Sequence, residues 1–121
     1  MTIDVYYDYC LSKKGVTEHF PFDEDTLVFK VGGKMFALSS LQEWENGTPA
    51  ANLKCDPDRA LELRGQYDDI QAGYHMSKIH WNTVKINGSV PDALVKELID
   101  HSYELVFKSL TKKQQQEVLK S

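Results

Sequence analysis

The sequence predicts an α+β protein, an antiparallel β-sheet with helices packed on one face in a two-layer sandwich. Three observations lead there. Apolar residues recur at helical spacing near both ends of the chain, while residues 26–41 read as two strands joined by Gly32-Gly33. The order of elements is helix, hairpin, strand, helix, strand, helix, helix. The chain has 121 residues, 41% of them hydrophobic and 26% charged, which suits one domain over residues 1–121 with a core of its own.

Taken in order, Thr2 is placed to cap a first helix. Ile3, Tyr6, Tyr7, Cys10 and Leu11 then recur on one helical face, and Gly15 can end the helix. The stretch VTEHFPFDED has phenylalanines on both sides of Pro21 and is expected to be extended, leading into the sheet. Residues 26–31 (TLVFKV) and 34–41 (KMFALSSL) form a hairpin about Gly32-Gly33. With Val31 opposite Lys34, the register puts Phe29 across from Phe36 and Leu27 across from Leu38, all on one face. Val28, Lys30, Met35 and Ala37 share the other. Residues 42–50 read as a polar loop in which Trp44 packs as an anchor, and residues 51–55 as a third strand with Asn52 and Lys54 on the face away from Leu53.

Asp56-Pro57 opens the next helix as N-cap and first helical residue. Residues 73–80 are expected to be a loop or an irregular strand. Residues 81–86 form a strand with Trp81, Thr83 and Lys85 on one side and Asn82, Val84 and Ile86 on the other. Ser89, with Asp92 three residues on, resembles a capping box for the longest helix, and Thr111 with Gln114 caps a last short one.

The chain carries 14 basic and 18 acidic residues, a net charge of −4, so overall charge does not point to nucleic acid and any anion-binding surface must be local. Cys10 and Cys55 fall on apolar-patterned positions with no CxxC pairing and are expected to be reduced core residues. No secretory segment opens the sequence and no apolar run approaches membrane-spanning length; the expectation is a cytoplasmic monomer without membrane contact.

The densest chemistry lies in residues 73–88, GYHMSKIHWNTVKING. If Leu27, Phe29, Phe36 and Leu38 face the helices, the open face offers Lys30, Met35, Asn52, Lys54, Trp81, Thr83 and Lys85. Lysines around an aromatic platform suit a single strand of nucleic acid, through phosphate contacts and base stacking. The alternative for such a face is a solvated surface whose lysines discourage aggregation. His75 and His80 stand five apart with no acidic residue or Cys between them, which does not fit a metal pair, and no metal or cofactor is expected. His19 and His101 read as structural. No nucleophile elbow or phosphate-binding glycine loop is present, and no catalytic residue is assigned; the protein is not expected to be an enzyme.

The series DTLVFKVGGKMFAL (25–38), NLKCDP (52–57), GYHMSKIHWNTV (73–84) and SYELVFKSL (102–110) resembles the MmcQ/YjbR family, and the match runs over nearly the whole chain. The resemblance implies a small bacterial protein with a CyaY-like, that is frataxin-like, sandwich and a DNA-binding role through a double-wing arrangement. The family commonly has Asn where this chain has Ser77 and a basic residue where it has Ile79. The resemblance and the residues together give DNA as the expected partner, with Lys30, Lys54, Lys78, Trp81 and Lys85 as contacts. The alternatives are a small-molecule or metabolite binder using His75, His80, Trp81 and Asn82, or a protein-interaction module on the first hairpin.

Overall fold

The computed structural model describes residues 1–121 except His75. Among the described residues the sheet has six strands: β1 (Val16–His19), β2 (Thr26–Val31), β3 (Lys34–Ser40), β4 (Ala50–Lys54), β5 (Ile70–Ala72) and β6 (Trp81–Lys85). Their spatial order is β1-β2-β3-β4-β6-β5, and every neighbouring pair is antiparallel. The helices are α1 (Ile3–Leu11), α2 (Leu41–Glu45), α3 (Pro57–Gln66), α4 (Asp92–Ser109) and α5 (Lys112–Leu119). α4 lies across β2, β3 and β4, α1 packs against β1 and α3 against β5. This is the two-layer α+β arrangement the sequence predicts. No helix among the described residues is long and apolar enough to cross a membrane.

Local chemistry accounts for most helix ends. The Thr2 hydroxyl accepts from Val5 N–H, the Asp56 carboxylate accepts from Arg59 N–H with Pro57 in the first turn, and Thr111 and Gln114 form a reciprocal capping box. Ser89 departs from expectation. Its N–H and hydroxyl both donate to Asp69 Oδ2, at 2.7 and 2.8 Å, and α4 starts after Pro91 with no side-chain cap. The carboxylate of Asp69 thus ties the loop before α4 to the start of β5, and these bonds lower its pKa. Residues 41–45, expected as the last strand residue and the start of a loop, form α2, capped by Ser40, whose hydroxyl accepts from Glu43 N–H. Trp44 on α2 is the expected anchor: its indole N–H donates to Ser39 Oγ at 2.8 Å and its ring lies 5.5 Å from that of Tyr6.

The first hairpin turns at Gly32-Gly33, both with positive φ. Gly32 is needed for a second reason: a Cβ there would stand 2.6 Å from a methyl of Leu110. The strand register beyond the turn differs from the simple one. Val31 opposes Lys34 and Lys30 opposes Met35, but Phe29 then opposes Ala37, Val28 opposes Leu38 and Leu27 opposes Ser39. Phe36 is the extra residue of a β-bulge, so Phe36 and Ala37 both belong to the helix-side core and Leu38 is carried to the other face. The expected pairings of Phe29 with Phe36 and Leu27 with Leu38 are corrected accordingly.

The bulge is locked from the helical layer. Extending the β3–β4 register by one step would place Phe36 opposite Lys54. Instead the buried Ser102 hydroxyl of α4 donates to Phe36 O at 2.5 Å and accepts from Lys54 N–H at 2.9 Å. One side chain thereby satisfies two main-chain groups that the bulge leaves without each other. The core around it holds Tyr6, Phe29, Phe36, Leu53, Val95 and Ile99, with Tyr103 set edge-on against Phe36 at 5.4 Å. Cys10 and Cys55 are free and buried, as expected, and burial pushes their thiols up to about 12 and about 11.

Candidate functional site

The sheet's uncovered face follows directly from the register. A first row runs Thr17, Lys30 and Met35, and across the bulge Lys54 is paired with Trp81. A second runs His19, Val28, Leu38, Asn52, Thr83 and Gln71; a third runs Thr26, Ser40, Ala50 and Lys85. None of these strand positions is acidic. Strands sit about 4.8 Å apart, so Lys30 and Lys54 have Cα atoms about 10 Å from each other. Lys85 is four residues along β6 from Trp81, about 13 Å away at the opposite end.

Lys30 and Lys54 are half-buried and Lys78 is exposed, and none of the three makes an ion pair or side-chain hydrogen bond among the described residues. Lys85 is exposed and lies close enough to Asp69 to help lower that carboxyl's pKa. Most carboxylates are instead in the helical layer, several engaged there: Asp100 with Lys13 and the Tyr9 hydroxyl, Glu97 with Arg59, and Asp92 with the terminal amine. The strand positions of the open face thus carry lysines and no carboxylate, which the net value of −4 does not show.

Lys78 and Trp81 are held by a residue that the sequence reading passed over. Arg64 of α3 donates from Nε to Asn82 Oδ1 at 2.7 Å, and from Nη2 to Lys78 O and to Trp81 O, the last at 3.3 Å. The turn at 78–80 is fixed further by Trp81 N–H donating to Ser77 O, and by Gly73 N–H donating to Trp81 O. Gly73 must be glycine for this approach, since a Cβ would lie 2.8 Å from Trp81 Cβ and 3.0 Å from its carbonyl. The signal for Arg64 was present: it continues the stripe of Ala60 and Leu63 on α3, and a cation on an apolar stripe needs buried acceptors.

Asn82 is 2% exposed on the helix side of β6, its carbonyl taken by Arg64 and its amide near Ala60 O at 3.5 Å. It therefore does not join Trp81 and His80 on one surface, as the small-molecule alternative supposed. His80 is exposed, and its backbone carbonyl accepts from Cys55 N–H at 2.8 Å. His75, also part of that alternative, lies outside the described residues. His101 accepts from Asp56 N–H at 3.1 Å, a structural role, and burial with the nearby Arg59 cation lowers its pKa. Among the described residues no cluster of three or more His, Cys, Asp or Glu could hold a metal ion.

A groove of about 840 Å³ occupies the other half of the face, between Phe22, Asp23, Asp25 and Thr26 on one side and Ala72, Tyr74 and Met76 on the other. Its floor is Leu38, Ala50, Asn52 and Thr83. Thr83 Oγ1 accepts from Tyr74 N–H at 3.0 Å and donates to Asn52 Oδ1 at 2.5 Å, linking the far wall to the floor. The near wall is built by Asp23 and Asp25. Asp23 accepts from the backbone N–H groups of Asp25 and Thr26, which hold its carboxyl below the usual range, and Asp25 accepts from Ser40 Oγ–H and Gln42 N–H.

With this geometry in hand, comparison with known proteins is decisive for kinship. The YjbR family model matches residues 11–105. The chain belongs to the YjbR family. Its relatives include YbdF of Escherichia coli O157:H7, 41% identical over 99 residues covering 82% of this chain and 79% of that protein. YjbR of E. coli K12 is 38% identical over 104 residues, 86% of each chain. Among solved structures, Deinococcus radiodurans DR2400 superposes with a TM-score of 0.88 at 40% identity, over 97% of this chain and 87% of that one. A Pseudomonas syringae protein superposes at 0.74 with 27% identity, covering 88% and 99%. The family named from the sequence motifs is therefore the right one, and these structures support its fold.

Proposed function

We propose that this YjbR-family protein is a non-catalytic nucleic-acid-binding protein that takes a single strand across the first row of its open sheet face. One observation carries the reading: the strand positions of that face supply Lys30, Lys54 and Lys85 and no carboxylate, in a chain whose overall charge is negative. Lys30 pairs with Met35, Trp81 sits directly across from Lys54, and Lys78 lies exposed in the adjoining turn. Ammonium groups without protein counter-ions are suited to phosphates, and a half-exposed indole to base stacking. Lys85, at the other end, would be reached only by a strand that continues along β6.

The test is a titration of short single-stranded and duplex DNA at several salt concentrations, read by tryptophan fluorescence. Trp44 is pinned under α1, so Trp81 should provide the change. Three neutralised phosphates predict a log–log salt slope of about −2 for a single strand. Lys30→Glu with Lys54→Glu should weaken binding at least about tenfold, and Trp81→Ala should cost about 1–3 kcal/mol. Lys96→Glu, in the helical layer, should change little. Absence of saturable binding at low salt, or an equal loss from Lys96→Glu, would remove the proposal's basis.

A further inference from the structure

We infer that the groove at the opposite end of the open face is a binding site for a small organic cation, a protonated amine on an aromatic or other apolar body. The inference is independent of the nucleic-acid reading and starts from the cavity. Its volume, about 840 Å³, suits a drug-sized molecule, and its floor sets apolar Leu38 and Ala50 beside polar Asn52 and Thr83. Leu38 is only 4% exposed there, and Val28 beside it in the row is sealed from solvent. The walls present large side chains to water: Phe22 is 63% exposed and Tyr74 69%, with Met76 next to Tyr74. Phe22, Leu38, Tyr74 and Met76 give a hydrophobic body apolar surface to pack on within this largely polar lining.

Charge selects the occupant. Among the described residues, the charged ones lining the groove are Asp23, Asp25 and Glu43, with no lysine or arginine. The bonds from Thr26, Ser40 and Gln42 hold the two aspartates in place without neutralising them. Lys85 shares a row with Ala50 but stands outside the lining, near Asp69. An anionic ligand would meet uncompensated repulsion, and a neutral one would strip water from carboxylates and return nothing. An ammonium group near Asp25 and Glu43 compensates them, and Phe22, in the same wall as the aspartates, is an aromatic partner for the cation. The floor adds a donor: Thr83 occupies the Asn52 carbonyl, which leaves the Asn52 amide hydrogens for an ether, hydroxyl or carbonyl oxygen on the ligand.

The experiment uses three probes of one shape: tryptamine, indole-3-ethanol and indole-3-acetate, titrated into the ¹⁵N-labelled protein. Tryptamine should shift the backbone amides of Leu38, Asn52, Tyr74 and Thr83, and bind at least tenfold more tightly than either analogue. Glu43→Gln, at a side chain that makes no hydrogen bond among the described residues, should reduce that preference several-fold. Ala50→Phe should fill the floor and abolish the shifts. Both variants should retain oligonucleotide binding, and Lys30→Glu with Lys54→Glu should retain tryptamine binding, which separates this site from the basic row. Equal responses to the three probes, shifts confined to the helical layer, or no shifts at millimolar tryptamine would each overturn the assignment.

Discussion

The two faces of the sheet solve different problems with the same strands. On the helix side Phe29, Leu53 and Ile99 are sealed, and even the polar Ser102 and Asn82 are used up in bonds between layers. On the open side, burial is local: Val28 and Leu38 are covered, while a few residues away Lys30, Lys54 and Trp81 remain accessible. The helix side spends its polar groups on holding backbone, and the open side leaves Lys30 and Lys54 without an ion-pair partner among the described residues. Unused binding capacity, rather than hydrophobicity or exposure alone, is what separates the two.

That contrast can be tested by substitution, beginning with the largest effect. Phe29→Ala removes an aromatic at the centre of the sealed face and should cost about 3–5 kcal/mol, whereas Leu38→Ala, under a groove that solvent can enter, should cost about 2. Equal losses in chemical denaturation would erase the distinction between a packed face and a half-covered one. Ser102→Ala is expected to cost about 2 kcal/mol, because Phe36 C=O and Lys54 N–H lose their common partner at once. Hydrogen exchange should show the Lys54 amide losing protection, which would establish that the helical layer holds the basic row in place.

The smallest effect concerns pH. The His101 imidazole is held below its usual pKa, chiefly by burial, so the unfolded chain takes up its proton at higher pH than the folded one. Its contribution to stability should be present above the unfolded value of about 6.5 and decline as pH falls through that value toward the folded one. The melting temperature should drop between pH 7.5 and 5.5, and drop less in His101→Gln. Asp23 and Asp69, whose pKa values are depressed, act in a separate window below about 3.9, where stability is lost as they protonate.

Much of this was legible beforehand, for reasons that differ by element. The caps at Thr2, Asp56 and Thr111 and the glycine turn depend on residues within four positions of each other. The sides of β4 and β6 follow from a period of two, so Lys54, Trp81 and Lys85 were placed on the open face correctly, and Asn82 on the other. β1 and β5 escaped notice as strands because four and three residues are too few to display a period. Ser89 carries a local capping signal, but Asp69, twenty residues earlier, captures it.

What the sequence determines by itself is the family, the α+β class and the local segments, since each rests on short-range stereochemistry or on an ordered series of motifs. What only the tertiary structure decided is the bulge at Phe36, the Arg64 clamp and the groove. Each of these joins residues far apart in the chain: Ser102 with Phe36 and Lys54, Arg64 with Asn82, and Asp25 with Tyr74 across Leu38. A one-residue bulge moved Leu38 from the core to the open face, and the carbonyl it frees is taken by a hydroxyl sixty-six residues away. Such outcomes are set by which buried groups find partners once the layers close, and no window of sequence contains both members of those pairs.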